Sequence, residues 1–185
     1  MRRALPWIVG GALVLGAGAV TAVTPDDDAV VSPILKTAPA GEAVESRTLI
    51  ATVTEASVAD EVAVADSEWS AEGDWLVVTI AASAATTEQG AAIQLATLTV
   101  GDRVFQSSER PPASLTATPL RVGIDTVGTL AFELPRDAVT GPAELRMTTS
   151  YFTAELDDMV AVPSDLDDLP RAPSIDLVDP ELVAR

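Results

Sequence analysis

The chain predicts an all-β domain, an antiparallel β-sandwich, preceded by a single N-terminal transmembrane helix. Three observations carry this: two stretches that alternate with a period of two, turn signals every 8 to 15 residues between them, and a leading run of twenty uncharged residues. In Trp75 to Ala82 (WLVVTIAA), Leu76, Val78 and Ile80 share one side of an extended chain while Val77, Thr79 and Ala81 share the other. In Val127 to Pro135 (VGTLAFELP), Leu130, Phe132 and Leu134 oppose Thr129, Ala131 and Glu133. A helix would scatter these large residues around its circumference. The alternation fits an antiparallel sheet packed on one face only.

The first element is Met1 to Thr24. Two arginines are followed by Ala4 to Val23 without a charge, and at about 1.5 Å per residue such a helix spans roughly 30 Å, the hydrocarbon thickness of a bilayer. Arg2 and Arg3 ahead of the run and Asp26, Asp27 and Asp28 behind it predict a cytoplasmic N-terminus and an extracytoplasmic remainder. Ala17-Gly18-Ala19 and Val20-Thr21-Ala22 offer small residues suited to signal peptidase, so cleavage to a secreted protein starting at Val20 or Val23 is the alternative. Residues 25–46, rich in Pro, Ala, Asp and Glu, read as a disordered tether.

Residues 47–150 read as the sandwich. Thr48 to Ala65 supplies a first strand and a second extended piece, and Glu68 to Asp74, with Gly73, a loop into the central strand. Ser83 to Gly90 is a polar connection. Ile93 to Val100, Gly101-Asp102 and Arg103 to Ser107 form a hairpin, which Arg110-Pro111-Pro112 ends because proline cannot donate to a ladder. Leu120 to Ile124 leads into the second central strand, which Pro135 stops; after Gly141-Pro142, Ala143 to Thr149 gives a last strand with Leu145 and Met147 facing inward. Residues 151–185 form an acidic tail whose four prolines leave room for one edge strand, within Met159 to Val162.

Composition narrows the chemistry. The net charge is −17; without the two leading arginines, 9 basic residues face 28 acidic ones, or −19 beyond Thr24. Such a surface repels phosphate backbones, so nucleic acid is not an expected partner. Cysteine and histidine are absent, which excludes a lipidated cysteine, thiol catalysis, Ser-His-Asp triads and the common zinc sites. Lys36, the sole lysine and the one candidate for a Ser-Lys dyad, lies in the expected tether. No cofactor-binding loop of the P-loop or dinucleotide type is present.

Four sets of side chains remain as candidates. Asp165, Asp167 and Asp168, with Asp176 twelve positions along counting from Asp165, have the look of a calcium loop, but Pro170 stands where such a loop needs Gly and Asp176 is too short to replace the bidentate Glu. Asp26 to Asp28 reads as a charge stop after the apolar run. Glu133, Glu144 and Asp125 are the carboxylates from which a hydrolase pair would be drawn, at outward or turn positions without a sign of a cleft. Trp69 and Trp75 flank a Gly-containing loop, where they would stack on a sugar or peptide or, more commonly, cap the end of a sandwich core. The reading assigns no catalytic, cofactor or metal residue.

Three segments carry a resemblance: Gly73 to Val78 (GDWLVV), Leu98 to Phe105 (LTVGDRVF) and Val127 to Pro135. The pattern from about Arg47 to Thr149 resembles the immunoglobulin-like, telokin-like domain family of unknown function found on bacterial extracytoplasmic lipoproteins and membrane-anchored proteins. The resemblance implies an immunoglobulin-like sandwich and no enzyme activity or catalytic residues. The chain departs from the lipoprotein members in lacking the anchoring cysteine, whose role would pass to the apolar leading segment. The expected function is a non-enzymatic binding or accessory module for a membrane or envelope protein, with a secreted binding protein and a carboxylate-dependent hydrolase as the alternatives.

Overall fold

The computed structural model describes residues 5–23, 32–65, 67–151 and 157–184, and the chain divides into two compact units, Met1–Ser32 and Pro33–Arg185. In the first unit, α1 (Leu5–Val23) is a 19-residue helix with exposed Leu13, Val14 and Leu15. Among the described residues no helix is long and apolar enough to cross a membrane, so the expected span over Ala4 to Val23 is not carried by the structure. The aspartates at 26 to 28 lie outside the described residues.

The second unit is a β-sandwich. Its strands in chain order are β1 (Ile34–Thr37), β2 (Val44–Glu45), β3 (Leu49–Val64), β4 (Ser70–Ala84), β5 (Leu95–Val100), β6 (Arg103–Gln106), β7 (Ile124–Leu134), β8 (Pro142–Thr148), β9 (Asp158–Asp165), β10 (Arg171–Ala172), β11 (Ile175–Leu177) and β12 (Glu181–Ala184). One sheet runs β1-β9-β8-β5-β6 and the other β10-β3-β4-β7-β12, with β2 and β11 also pairing β3. The alternation seen in the sequence fills the space between them: Leu76, Val78 and Ile80 of β4 and Leu130, Phe132 and Leu134 of β7 meet Leu98, Leu145, Met147 and Val160 from the smaller sheet in one buried cluster. The hairpin of β5 and β6, the stop at Pro135 and the inward Leu145 and Met147 stand where the sequence predicts them.

The expected domain limits change at both ends. Residues assigned to a tether supply β1, parallel to β9, and β2, antiparallel to β3, so the sandwich unit begins at Pro33 and not near Arg47. Main-chain bonds recruit these short pieces. The side chains of β1 are largely exposed and therefore leave no apolar pattern to read. The tail changes more. Its one expected edge strand is β9, which lies inside the smaller sheet between β1 and β8 with Met159, Val160, Ala161 and Val162 all buried. Pro163 falls past Ala161, the last residue of β9 paired to β1, so its missing N–H forfeits no bond to β1. Pro170, Pro173 and Pro180 punctuate the tail into β10, β11 and β12 instead of forbidding strands.

The larger sheet is also buried on both faces, against the one-sided packing expected. Trp75, Val77 and Ala131 point away from the main core and form a second cluster with Val62, Val64, Ala71 and Ala113 and with Leu177, which β11 sets beside Val64. The outer edge of β7 is covered in two parts. β12 pairs with Ile124 to Val127, and farther along Leu115 N–H donates to the Thr129 carbonyl (2.9 Å) and Ser108 N–H to that of Ala131 (2.7 Å). At Gly128 a Cβ would stand 3.2 Å from Leu115 and 3.3 Å from Pro180, so a side chain there would push those segments back by a few tenths of an ångström.

A polar staple joins the two sheets at one end. The Arg47 guanidinium pairs with the Asp157 carboxylate, Arg47 N–H donates to Asp158 Oδ2 (2.8 Å), and the Thr48 and Thr149 hydroxyls are 2.7 Å apart. Burial alone would push the Asp157 carboxyl up; the hydrogen bonds from Arg47 and from the Asp158 N–H outweigh it and hold the group below the usual carboxylate range.

Candidate functional site

The most distinctive polar surface sits where β3 and β4 lose register. Ala59 faces Trp75, but the next pair is Glu61 with Glu72, so Gly73 and Asp74 together oppose Asp60 in a bulge. Gly73 takes φ +152, and a Cβ there would lie 3.1 Å from Trp75 Nε1. The expected loop from Glu68 to Asp74 is therefore strand from Ser70 onward, with its glycine serving the bulge.

Four carboxylates gather at this bulge. Asp60, Glu61, Glu72 and Asp74 line a groove of about 570 Å³ together with Gly73, Arg136 and Pro173. Glu61 and Glu72 are direct cross-strand neighbours, an arrangement that like charges disfavour. Arg136 offers partial balance: its Nε is 3.7 Å from Asp74 Oδ2, and its side chain is 93% exposed. The groove concentrates negative potential and attracts cations or basic side chains. Among the described residues no three His, Cys, Asp or Glu side chains converge to hold a metal ion. None of these four carboxylates is a candidate site residue in the sequence, because the site exists only through a register.

Next to Gly73 lies a stacked unit. The Trp75 ring is fully buried in the second cluster, the Arg110 guanidinium sits 5.6 Å from its centroid, and Arg110 Nη1 is 2.7 Å from Glu133 Oε2. Trp75 thus packs under the outer face of the larger sheet and does not cap the sandwich end, while Trp69 is half-buried against the same cluster.

The carboxylates considered for hydrolysis are not brought together. Glu133 follows the core residue Phe132 on β7 and points to the outer face of the larger sheet, whereas Glu144 precedes the core residue Leu145 on β8 and points to the outer face of the smaller one. The whole core lies between them. Glu144 Oε1 is 2.6 Å from Arg146 Nε, and Asp125 stands near the start of β7, facing Val183 of β12. The aspartates of the calcium test are equally divided. Asp165 Oδ1 accepts from Asp167 N–H (3.0 Å) and Asp167 Oδ2 from Gly141 N–H (3.2 Å), whereas Asp176 lies on β11 in the other sheet. Lys36 lies on β1 with its side chain exposed. An inter-sheet void of about 50 Å³, lined by residues such as Val53, Leu76, Leu98 and Leu145, is far below the volume of a ligand pocket.

The chain matches no protein-family model and no curated protein. Two solved structures are similar to its sandwich. A candidate lipoprotein from Staphylococcus aureus subsp. aureus NCTC 8325 has 11% identity and a TM-score of 0.49, covering 75% of this chain and 97% of its own. An uncharacterized β-sandwich protein from Clostridium difficile 630 has 13% identity and a TM-score of 0.48, covering 76% of this chain and 99% of its own.

Proposed function

We propose that this chain is an exported, non-catalytic β-sandwich that acts by binding, as an accessory module to a protein of the membrane or cell envelope. One observation carries the reading: the side chains that chemistry would need are dispersed and already engaged, Glu133 by Arg110 and Glu144 by Arg146, on opposite outer faces of the sandwich. What such a molecule offers is surface. The export part rests on the uncharged run from Ala4 to Val23 behind Arg2 and Arg3. We read the sandwich as immunoglobulin-like, supported by the resemblance carried by Gly73 to Val78, Leu98 to Phe105 and Val127 to Pro135. The test is affinity capture of the full chain from solubilised membranes after crosslinking in intact cells. Recovery of a defined membrane or envelope protein is expected; recovery of cytosolic proteins alone refutes the reading.

A second reading, a freely diffusing binding protein released by signal cleavage, is favoured by the small residues at Ala17-Gly18-Ala19 and Val20-Thr21-Ala22. Mass spectrometry of the mature N-terminus separates the two, since a start at Val20 or Val23 selects release and an intact start at Met1 or Arg2 selects retention.

A further inference from the structure

We propose that residues 34–45 form a strap that lifts as a unit while the two sheets stay folded, converting the closed void between the sheets into an apolar slot. β1 lies at the edge of the smaller sheet and β2 pairs with β3 of the larger one, so the strap has one leg on each layer. The turn between the legs crosses from one sheet to the other: Ala38 N–H donates to the Ala161 carbonyl of β9 (3.3 Å), and Gly41 N–H to the Val53 carbonyl of β3 (2.8 Å). Gly41, at φ +88 with Glu42 N–H donating to the Pro39 carbonyl (3.2 Å), makes that turn.

What the turn closes off is the main core. The void of about 50 Å³ is walled by Leu76 and Val78 of the larger sheet and by Leu98 and Leu145 of the smaller one, and Ala40 of the turn lines it too. Ala40 is itself exposed, so at this place the thickness of one alanine separates the core from solvent. Lifting the turn gives an uncharged molecule or an alkyl group access to those four side chains.

The strap is fastened firmly at its root. Ser46 is buried, its N–H donates to the Leu49 carbonyl (2.8 Å), its hydroxyl accepts from Leu49 N–H (3.1 Å), and Arg47 pairs with Asp157. Beyond the root the hold is light. Within 34–45 Val44 alone is buried, and among the described residues the bonds from this segment to the sheets are main-chain ones, those of β1 in the weaker parallel pattern. Segments with so few buried apolar contacts open at a fraction of the free energy of global unfolding, whereas β4, buried on both faces, opens with the whole domain. The export reading matters here only as a source of load: the uncharged run from Ala4 to Val23 precedes the strap in the chain, so a pull on that run reaches β1 before any other strand.

Hydrogen exchange of the full chain measures the lifting directly. The bonded amides of 34–45 are expected to exchange together and at least about 100-fold faster than those of β4 and β7. A latch then ties that exchange to the strap. In the double variant Thr37→Cys with Ala161→Cys, the two positions are in-register partners on adjacent strands, about 4.8 Å apart and within disulfide reach, and no native cysteine competes. Oxidation should slow the exchange of 34–45 at least about tenfold relative to the reduced form. Nile red, an uncharged apolar probe, should fluoresce more strongly with the reduced form than with the oxidised one, α1 contributing equally to both. Amides of 34–45 that exchange no faster than those of β4, or exchange and dye binding that the latch leaves unaltered, overturn the proposal. Failure to capture a membrane or envelope partner would leave these results as they stand, so the strap and the accessory role fail separately.

Discussion

Replacing Leu177 by Ala asks whether the C-terminal segment is part of the fold or an appendage. Leu177 is 0% exposed on β11 and closes the second cluster over Val62, Val64, Trp75 and Val77. The substitution removes three carbons from a fully buried position, at about 0.8 kcal/mol each or about 2.5 kcal/mol in all. A cavity term would raise this toward the upper part of the usual range of about 2–5 kcal/mol. Here it should be small, because β11 is a three-residue strand at the edge of the sheet and can settle inward. For a domain of this size the loss corresponds to a fall in thermal midpoint of about 5–10 °C. The comparison is Leu182→Ala, the same chemistry on exposed β12, for which a change within about 0.5 kcal/mol is expected. Thermal and urea unfolding followed by circular dichroism measure both. A Leu177→Ala protein as stable as its parent would show that the tail does not pack on the larger sheet, and the two-sided burial of β4 would fall with it.

Gly73→Ala forces a residue with a Cβ into φ +152, with that Cβ 3.1 Å from Trp75 Nε1; a loss of about 1–3 kcal/mol in urea unfolding is expected, and no loss would deny the bulge. Asp157 and Glu88 are both held below the ordinary carboxylate range, the latter by Arg121 and then by the Val122 N–H. Depressed folded-state values mean that their contribution is fully present above the unfolded value and is lost as pH falls through the folded one. Asp157→Asn should therefore lower the thermal midpoint at neutral pH, with the gap to the parent closing as pH drops below about 4; a gap that is constant with pH refutes the role given to the Arg47 pair. Deleting residues 1–32 should leave the midpoint of the remaining chain unchanged within about 2 °C, since Pro33–Arg185 is a compact unit with its own core.

How much of this fold can be read from the sequence depends on where each strand's information resides. β4, β5, β7 and β8 place large side chains between two sheets, so their pattern is written locally, and Leu76, Phe132, Leu145 and Met147 all face the core as alternation requires. β1, β10 and β12 are held by main-chain bonds to a neighbour already in place. Their side chains are mostly exposed, so Ile34 to Thr37 and Glu181 to Ala184 look like tether and tail. Trp75 and Val77 were legible as strand and misleading as to face, because what covers them, Ala113 and Leu177, lies far along the chain.

The acidic groove follows the same logic more sharply. Glu61 and Glu72 are unremarkable as a pair in a sequence and become direct neighbours only because β3 and β4 pair antiparallel with one residue gained at Gly73-Asp74. Without that bulge the strands would keep the register that sets Ala59 against Trp75, and Glu61 would face Gly73 instead of a second carboxylate. The repulsion is thus a consequence of the shift that Gly73 permits, which separates two effects in one experiment. Glu72→Gln should raise stability by relieving a like-charge pair, while Gly73→Ala should lower it by opposing the bulge itself. A loss of stability in Glu72→Gln would refute the carboxylate pairing, and an unchanged stability in Gly73→Ala would refute the shifted register at this end of the sheet.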